Sequence, residues 1–110
     1  EKIHSSLEYH ELFPKRVNVE LVDVISKSQI NVKVWERGAG FTLACGTGAC
    51  ASVVAGAKLG ILERDVSVRL PGGDVNVKWD QNNHVFLTGP ANEIFTGFLS
   101  DAFLERIKND

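Results

Sequence analysis

The run GACASVVAGA, Gly48 to Ala57, carries no charge before Lys58 and no side chain larger than valine. A helix without a polar face is expected to be buried on all sides, and small residues let neighbouring strands approach it closely. The flanking sequence supplies such strands. Upstream, Ile30, Val32 and Val34 alternate with Asn31, Lys33 and Trp35, and Val17, Val19 and Leu21 alternate with polar residues, with Ser26-Lys27-Ser28 as the turn between them. Period-two alternation is the signature of half-buried strands.

Downstream, Val66-Val68-Leu70 and Val75-Val77-Trp79 are joined by Pro71-Gly72-Gly73-Asp74. Proline presets one turn angle and glycine accepts positive φ, so a hairpin is expected there. Asp80-Gln81-Asn82-Asn83 turns into a strand around Val85 to Thr88, Ile94 to Phe98 reads as another strand, and Asp101 is expected to cap a short helix through Ile107. The fold class that results is α+β: a curved, mostly antiparallel sheet wrapped around one central buried helix, in a single domain covering residues 1–110, without repeats or low-complexity segments.

Composition narrows the function classes. A formal net charge of -2, with Lys and Arg scattered singly, gives no basic stripe for phosphates, so nucleic acid and anionic membranes are not expected partners and the ligand is expected to be small. No apolar run approaches the ~20 residues of a membrane span and the start lacks a signal-peptide core, which leads to a cytosolic expectation. The two cysteines, Cys45 and Cys50, lie five apart around the helix start, roughly 7.5 Å by helical rise, so both are expected to be free thiols. The three histidines lack metal-ligand spacing, and neither a Gly-x-Ser-x-Gly elbow nor a Gly-Lys-Ser/Thr phosphate loop occurs. Metal binding is not expected.

Cys45 precedes Gly46-Thr47-Gly48 at the mouth of the helix. The first turn leaves backbone N–H groups unpaired at the positive end of the dipole, so glycines there let a carboxylate approach the backbone, and the same field favours a thiolate. Cys45 is thus a candidate base or nucleophile; its other reading is a small buried hydrophobe among glycines kept for packing. Cys50, inside the apolar helix, reads as core. Glu36 continues the Ile30, Val32, Val34 row and so points with the apolar residues, as a functional carboxylate, as a strand-end Glu turned to solvent, or in a structural ion pair with Arg37 or another cation. Arg37 offers the planar fork that suits a carboxylate but points the other way unless the following glycines bend the chain. Asn18, by alternation on the polar side with Glu20, reads as solvated.

Glu36-Arg37-Gly38-Ala39-Gly40 followed by Thr42-Leu43-Ala44-Cys45-Gly46-Thr47-Gly48-Ala49-Cys50-Ala51 closely resembles the signature around the second catalytic cysteine of the diaminopimelate epimerases. The likeness continues in His10-Glu11-Leu12-Phe13-Pro14, Arg16-Val17-Asn18, Leu70-Pro71-Gly72-Gly73, Leu87-Thr88-Gly89-Pro90-Ala91 and Phe95-Thr96-Gly97-Phe98. The resemblance implies an isomerase without pyridoxal phosphate or metal that converts LL- to meso-diaminopimelate, in lysine and cell-wall synthesis. In that family two cysteines face each other across a cleft between two pseudo-symmetric halves; one thiolate removes the α-proton and the opposite thiol returns one.

By the match, Cys45 is the cysteine of the C-terminal half, the backbone N–H groups of Gly46 and Thr47 bind substrate carboxylate, Glu36 and Arg37 bind substrate, Glu36 also matters for turnover, and Asn18 helps hold the distal end. Donors held against the carboxylate while charge develops are what an α-carbanion requires. The family's first cysteine and its Gly-Asn-Pro-His segment fall in the region preceding Glu1, so the chain resembles a C-terminal half that needs its N-terminal half as partner. Phe41 stands where the family usually has glutamate, and Phe95 where a tyrosine is often found near a dimer contact. Two other readings stay open: a different racemase or isomerase of the same architecture, against which Asn18 and Arg37 argue, and a non-catalytic small-anion binding or assembly module.

Overall fold

In the computed structural model, which describes residues 1–109, two tight hairpins supply most of a six-stranded sheet. Helix α1 (Lys2–Glu8) precedes strands β1 (Val19–Ser26) and β2 (Gln29–Glu36), joined through Lys27-Ser28. A short β3 (Gly40–Thr42) turns back on β2 before helix α2 (Gly46–Lys58). Strands β4 (Asp65–Leu70) and β5 (Gly73–Trp79) follow, then β6 (Val85–Thr88) and helix α3 (Asp101–Lys108). The order is β1-β2-β4-β5-β6, every pairing antiparallel except β2 with β4. One edge of β2 runs along β1; the other is shared by β4 near its start and β3 near its end.

The core lies between this sheet and α2. Ile30, Val32 and Val34 of β2, Val66, Val68 and Leu70 of β4 and Val77 of β5 form one cluster with Ala49 and Val53 of the helix. Strands β1, β2, β5 and β6 all touch α2, so the sheet curls round it as expected from the small-residue run. Both cysteines are free thiols. The β4–β5 hairpin turns on Pro71-Gly72, as its sequence indicated. Gly72 donates its N–H to the Leu43 carbonyl at 2.7 Å, and a Cβ at that position would stand 2.9 Å from the same oxygen, so only glycine permits this approach.

Several expectations are corrected. Helix α2 is buried along one stripe, Gly48, Ala49, Ser52 and Val53, while Ala51 and Ala55 are exposed, because the sheet covers only part of its circumference. The phase of β1 is reversed: Glu20, Val22 and Val24 pair with Val34, Val32 and Ile30 and therefore share the helix-facing side, where Val22 and Val24 stay partly open at 37% and 45% exposure, whereas Leu21 lies on the other side at 57%. Ile94 to Phe98 forms no strand; no ladder partner lies beside it among the described residues, and Ile94, Phe95 and Phe98 face outward. Ser100, not Asp101, caps α3, its hydroxyl accepting the Phe103 N–H. Helix α1 had no counterpart in the sequence reading.

The longest extent of the molecule is 55 Å, and the radius of gyration is 18.1 Å against about 13 Å for a compact chain of this size. Gly56 of α2 lies against the buried Leu62, and a Cβ there would sit 2.7 Å from Leu62 Cγ. Alanine gains about 1 kcal/mol of helix propensity over glycine, but overpacking costs about 1–3 kcal/mol. The Gly56→Ala variant is therefore expected to melt several degrees lower, measured by thermal denaturation; an unchanged or higher midpoint would mean that Leu62 swings aside freely.

Candidate functional site at the start of α2

The first turn of α2 is closed by a sulfur. Cys45 is the N-cap residue, in extended conformation, and its Sγ accepts the Gly48 N–H at 3.4 Å with Thr47 Oγ1 at 3.5 Å. The thiol is 7% exposed. Leu87 of β6 packs where a Cβ of Gly46 would be, 2.8 Å from that point. Gly46 and Thr47 contribute N–H groups to the unpaired first turn, the end of a helix that favours anions. Cys50 leans on the core, half-buried, and burial first, then the neighbouring Cys45, pushes its thiol up, which suits an inert packing role.

The turn after β2 brings the second group of residues. Ala39 donates its N–H to the Glu36 carbonyl, and Gly38 and Gly40 take φ of 76° and 77°, so the chain bends sharply. That bend carries Arg37 to the helix side. Its main-chain N–H donates to Asn18 Oδ1 at 2.8 Å and its Nη1 to the Lys15 carbonyl at 3.0 Å. Asn18 is accordingly half-buried and bonded rather than solvated. Glu36 is half-buried at the end of its row, and its expected ion pair with Arg37 is not formed among the described residues.

An open cleft of about 410 Å³ joins these elements. Arg16, Asn18, Glu20, Arg37, Thr47 and Gly48 line it together with Val17 and Ala51. The structure thus brings three of the expected binding residues, Asn18, Arg37 and Thr47, to one surface, with Cys45 and Gly46 beside it at the helix start. Glu36 is not on that surface. Glu20 is there instead, missed because β1 was read in the opposite phase; its alternation with Val22 and Val24 was the available signal.

Glu8 was also missed, and it fixes the Arg37 turn from behind. Its side chain is 3% exposed, accepts the Trp35 Nε1–H at 2.7 Å and the Gly38 N–H at 2.9 Å, and has Arg16 Nη1 at 3.8 Å. Arg16, at φ 61°, lies over the Tyr9 ring. Phe41 meets Trp35 and His4 edge-on, centroids 5.1 and 4.9 Å away, and so joins β3 to α1 away from the cleft.

An α+β domain that presents a buried cysteine at a helix start beside a polar, arginine-containing cleft is the class that fold and site define. The family model for diaminopimelate epimerase matches residues 1–94. The chain is 54% identical over 98 residues to diaminopimelate epimerase of Acetivibrio thermocellus, covering 88% of this chain and 35% of that protein. It is 56% identical over 91 residues to diaminopimelate epimerase of Halothermothrix orenii, 83% of this chain and 32% of the relative. The chloroplastic diaminopimelate epimerase of Oryza sativa subsp. japonica is 52% identical over 96 residues, 86% of this chain and 27% of that protein. A crystal structure of the Bacillus anthracis phenazine biosynthesis protein of the PhzF family shares the fold, with a TM-score of 0.54 at 15% identity, covering 78% of this chain and 27% of that one. This chain belongs to the diaminopimelate epimerase family, and it spans about a third of the length of the curated relatives it matches.

Hydrogen bonds from Trp35 and Gly38 hold the Glu8 carboxyl below its ordinary value of 4.5. A carboxylate whose folded pKa is depressed contributes fully above the unfolded value, and that contribution is lost as pH falls through the folded one. The melting temperature is therefore expected to drop on acidification below about pH 4.5, and Glu8→Gln is expected to flatten that drop while lowering the midpoint near neutrality. Thermal melts of both proteins across this range check it; identical pH profiles would remove Glu8 from the account.

Proposed function

We propose that this chain is the C-terminal part of a cofactor-independent diaminopimelate epimerase, converting LL- to meso-diaminopimelate in lysine and peptidoglycan precursor synthesis in the cytosol. The observation that carries the proposal is the placement of Cys45 at the first turn of α2, beside the cleft lined by Asn18, Arg37 and Thr47, in a chain of this family.

In this reading the Cys45 thiolate takes the α-proton: the C–H bond breaks, an S–H bond forms, and the electron pair remains on the α-carbon, delocalised into its carboxylate. A second thiol, from the part of the protein outside this chain, returns a proton to the opposite face, and the roles exchange for the reverse direction. The N–H groups of Gly46 and Thr47 meet the carboxylate where negative charge grows, which is where fixed donors matter most. Arg37 and Asn18 hold the distal end, and Glu36 assists substrate binding and turnover.

The preceding part of the protein is the first partner, and this chain alone is inactive in this reading. An accessible surface of 8306 Å², against about 6,000 Å² for a folded monomer of this mass, supports a missing cover. The exposed face of α2 and the open edge of β1 are where it would rest. A homodimer is the second assembly step, supported by Ile94, Phe95 and Phe98 at 89%, 84% and 98% exposure.

The test is exchange of the α-proton of LL-diaminopimelate with solvent deuterium, using this chain mixed with the separately produced preceding part. Exchange is expected only with both pieces and is expected to fall about 10²- to 10⁴-fold in Cys45→Ala. Exchange that survives this substitution would overturn the assignment of Cys45.

A further inference from the structure

The start of α2 favours a thiolate at Cys45 in more than one way. Gly48 donates its N–H to Sγ at 3.4 Å, Thr47 Oγ1 stands 3.5 Å from the sulfur, and the first turn is the positive end of the helix. The reaction proposed above needs the thiol as much as the thiolate. One sulfur removes a proton and the other must have one to return, so a site with both sulfurs ionised has no acid to offer.

Glu20 stands where it can hold that balance. A Cβ placed on Gly48 would lie 2.9 Å from Glu20 Oε1 and 3.3 Å from Cys45 Sγ, so carboxylate and sulfur flank the same point. That puts them within the ~6 Å over which like charges oppose each other's ionisation. Val34 Cγ2, 3.2 Å from the same point, adds an apolar wall. Among the described residues no ion pair neutralises Glu20, and burial pushes its carboxyl up, with only a hydrogen bond from its own main chain against it.

The other charged and titratable groups near the helix start are placed differently. Cys50 lies further along α2 and leans on the core. Arg16 and Arg37 line the cleft but direct their bonds to Glu8 and the Lys15 carbonyl. Strand β6 brings only the apolar Leu87 against Gly46.

We propose that Glu20 is a positioning residue for the proton on Cys45: across the gap left by Gly48 its carboxylate opposes loss of that proton to water, so that the site keeps one thiol beside one thiolate. The use made of this coupling, though not the coupling itself, rests on the function proposed above.

The experiment uses the full-length enzyme that contains this chain. Alkylation by iodoacetamide, which reads the thiolate, is followed across pH with the modified peptides identified by mass spectrometry, so that Cys45 is read apart from every other cysteine. Epimerisation of LL-diaminopimelate is measured over the same range. Glu20→Gln keeps the shape and removes the charge; its Cys45 alkylation midpoint is expected about one pH unit below that of the wild type, and its kcat/KM profile is expected to move to lower pH with it. Glu20→Asp, which keeps the charge but draws it back, is expected to fall between. Melting temperatures are read alongside, and if Glu20→Gln does not fold, the Asp variant carries the comparison. An unmoved midpoint, which a purely structural role or a neutralising cation from the rest of the protein would give, overturns the inference. A midpoint that rises, the mark of a protonated carboxyl stabilising the thiolate, overturns it as well. Wild-type enzyme that leaves diaminopimelate unchanged, with the midpoint still lowered in Glu20→Gln, would overturn the proposed function and support the coupling.

Discussion

How closely a helix can approach a sheet governs this fold. Along the contact stripe of α2 the side chains are nearly absent, with Gly48, Ala49 and Ser52 leading to Val53, so the backbone comes within reach of four strands. That approach buries Cys45, sets Leu87 against Gly46 and leaves Glu20 the space beside Gly48. Interiors are close-packed, and a single added methyl at such a position must displace something. The small residues around the thiol are therefore required by the packing of the helix against its strands.

The core was largely readable from the chain. The Ile30-Val32-Val34 and Val66-Val68-Leu70 rows are buried as their alternation requires, and the Pro71-Gly72 turn follows from the φ angles those residues prefer. What the sequence concealed has a common cause. In β1 the apolar residues occupy both phases, Leu21 and Ile25 on one side and Val22 and Val24 on the other, so only its register against β2 decides which face meets the helix. Ile94 to Phe98 has strand composition but no neighbour to pair with among the described residues, and strand formation is a property of two segments. At the site, the place of Cys45 at the helix start was legible from local pattern and Arg37 and Thr47 entered through the family resemblance, whereas Glu8 and Glu20 depend on contacts across tens of residues that no local periodicity records.

Two carboxylates of similar concealment thus stand in opposite electrostatic situations on either side of one turn. Glu8 has its acceptor capacity filled, and its hydrogen bonds to Trp35 and Gly38 tie α1 to the bend that aims Arg37. Burial pushes the Glu20 carboxyl up, with only a hydrogen bond from its own main chain against it. A satisfied buried carboxylate holds geometry, and an unsatisfied one is costly to leave unpaired. Glu8 thus belongs to the scaffold behind the cleft, and Glu20 to its lining.

The parallel pairing of β2 with β4 has a kinetic consequence. Each hairpin closes through two residues, so β1 with β2 and β4 with β5 can zip from local contacts. Joining the two requires a loop that contains β3 and all of α2, and the entropy of closing such a loop must be met before its contacts form. The bond from Gly72 to Leu43 spans that junction, directly upstream of Cys45. The thiol is thus seated at the seam where the two hairpins of the sheet meet, the junction whose closure carries the greater loop entropy.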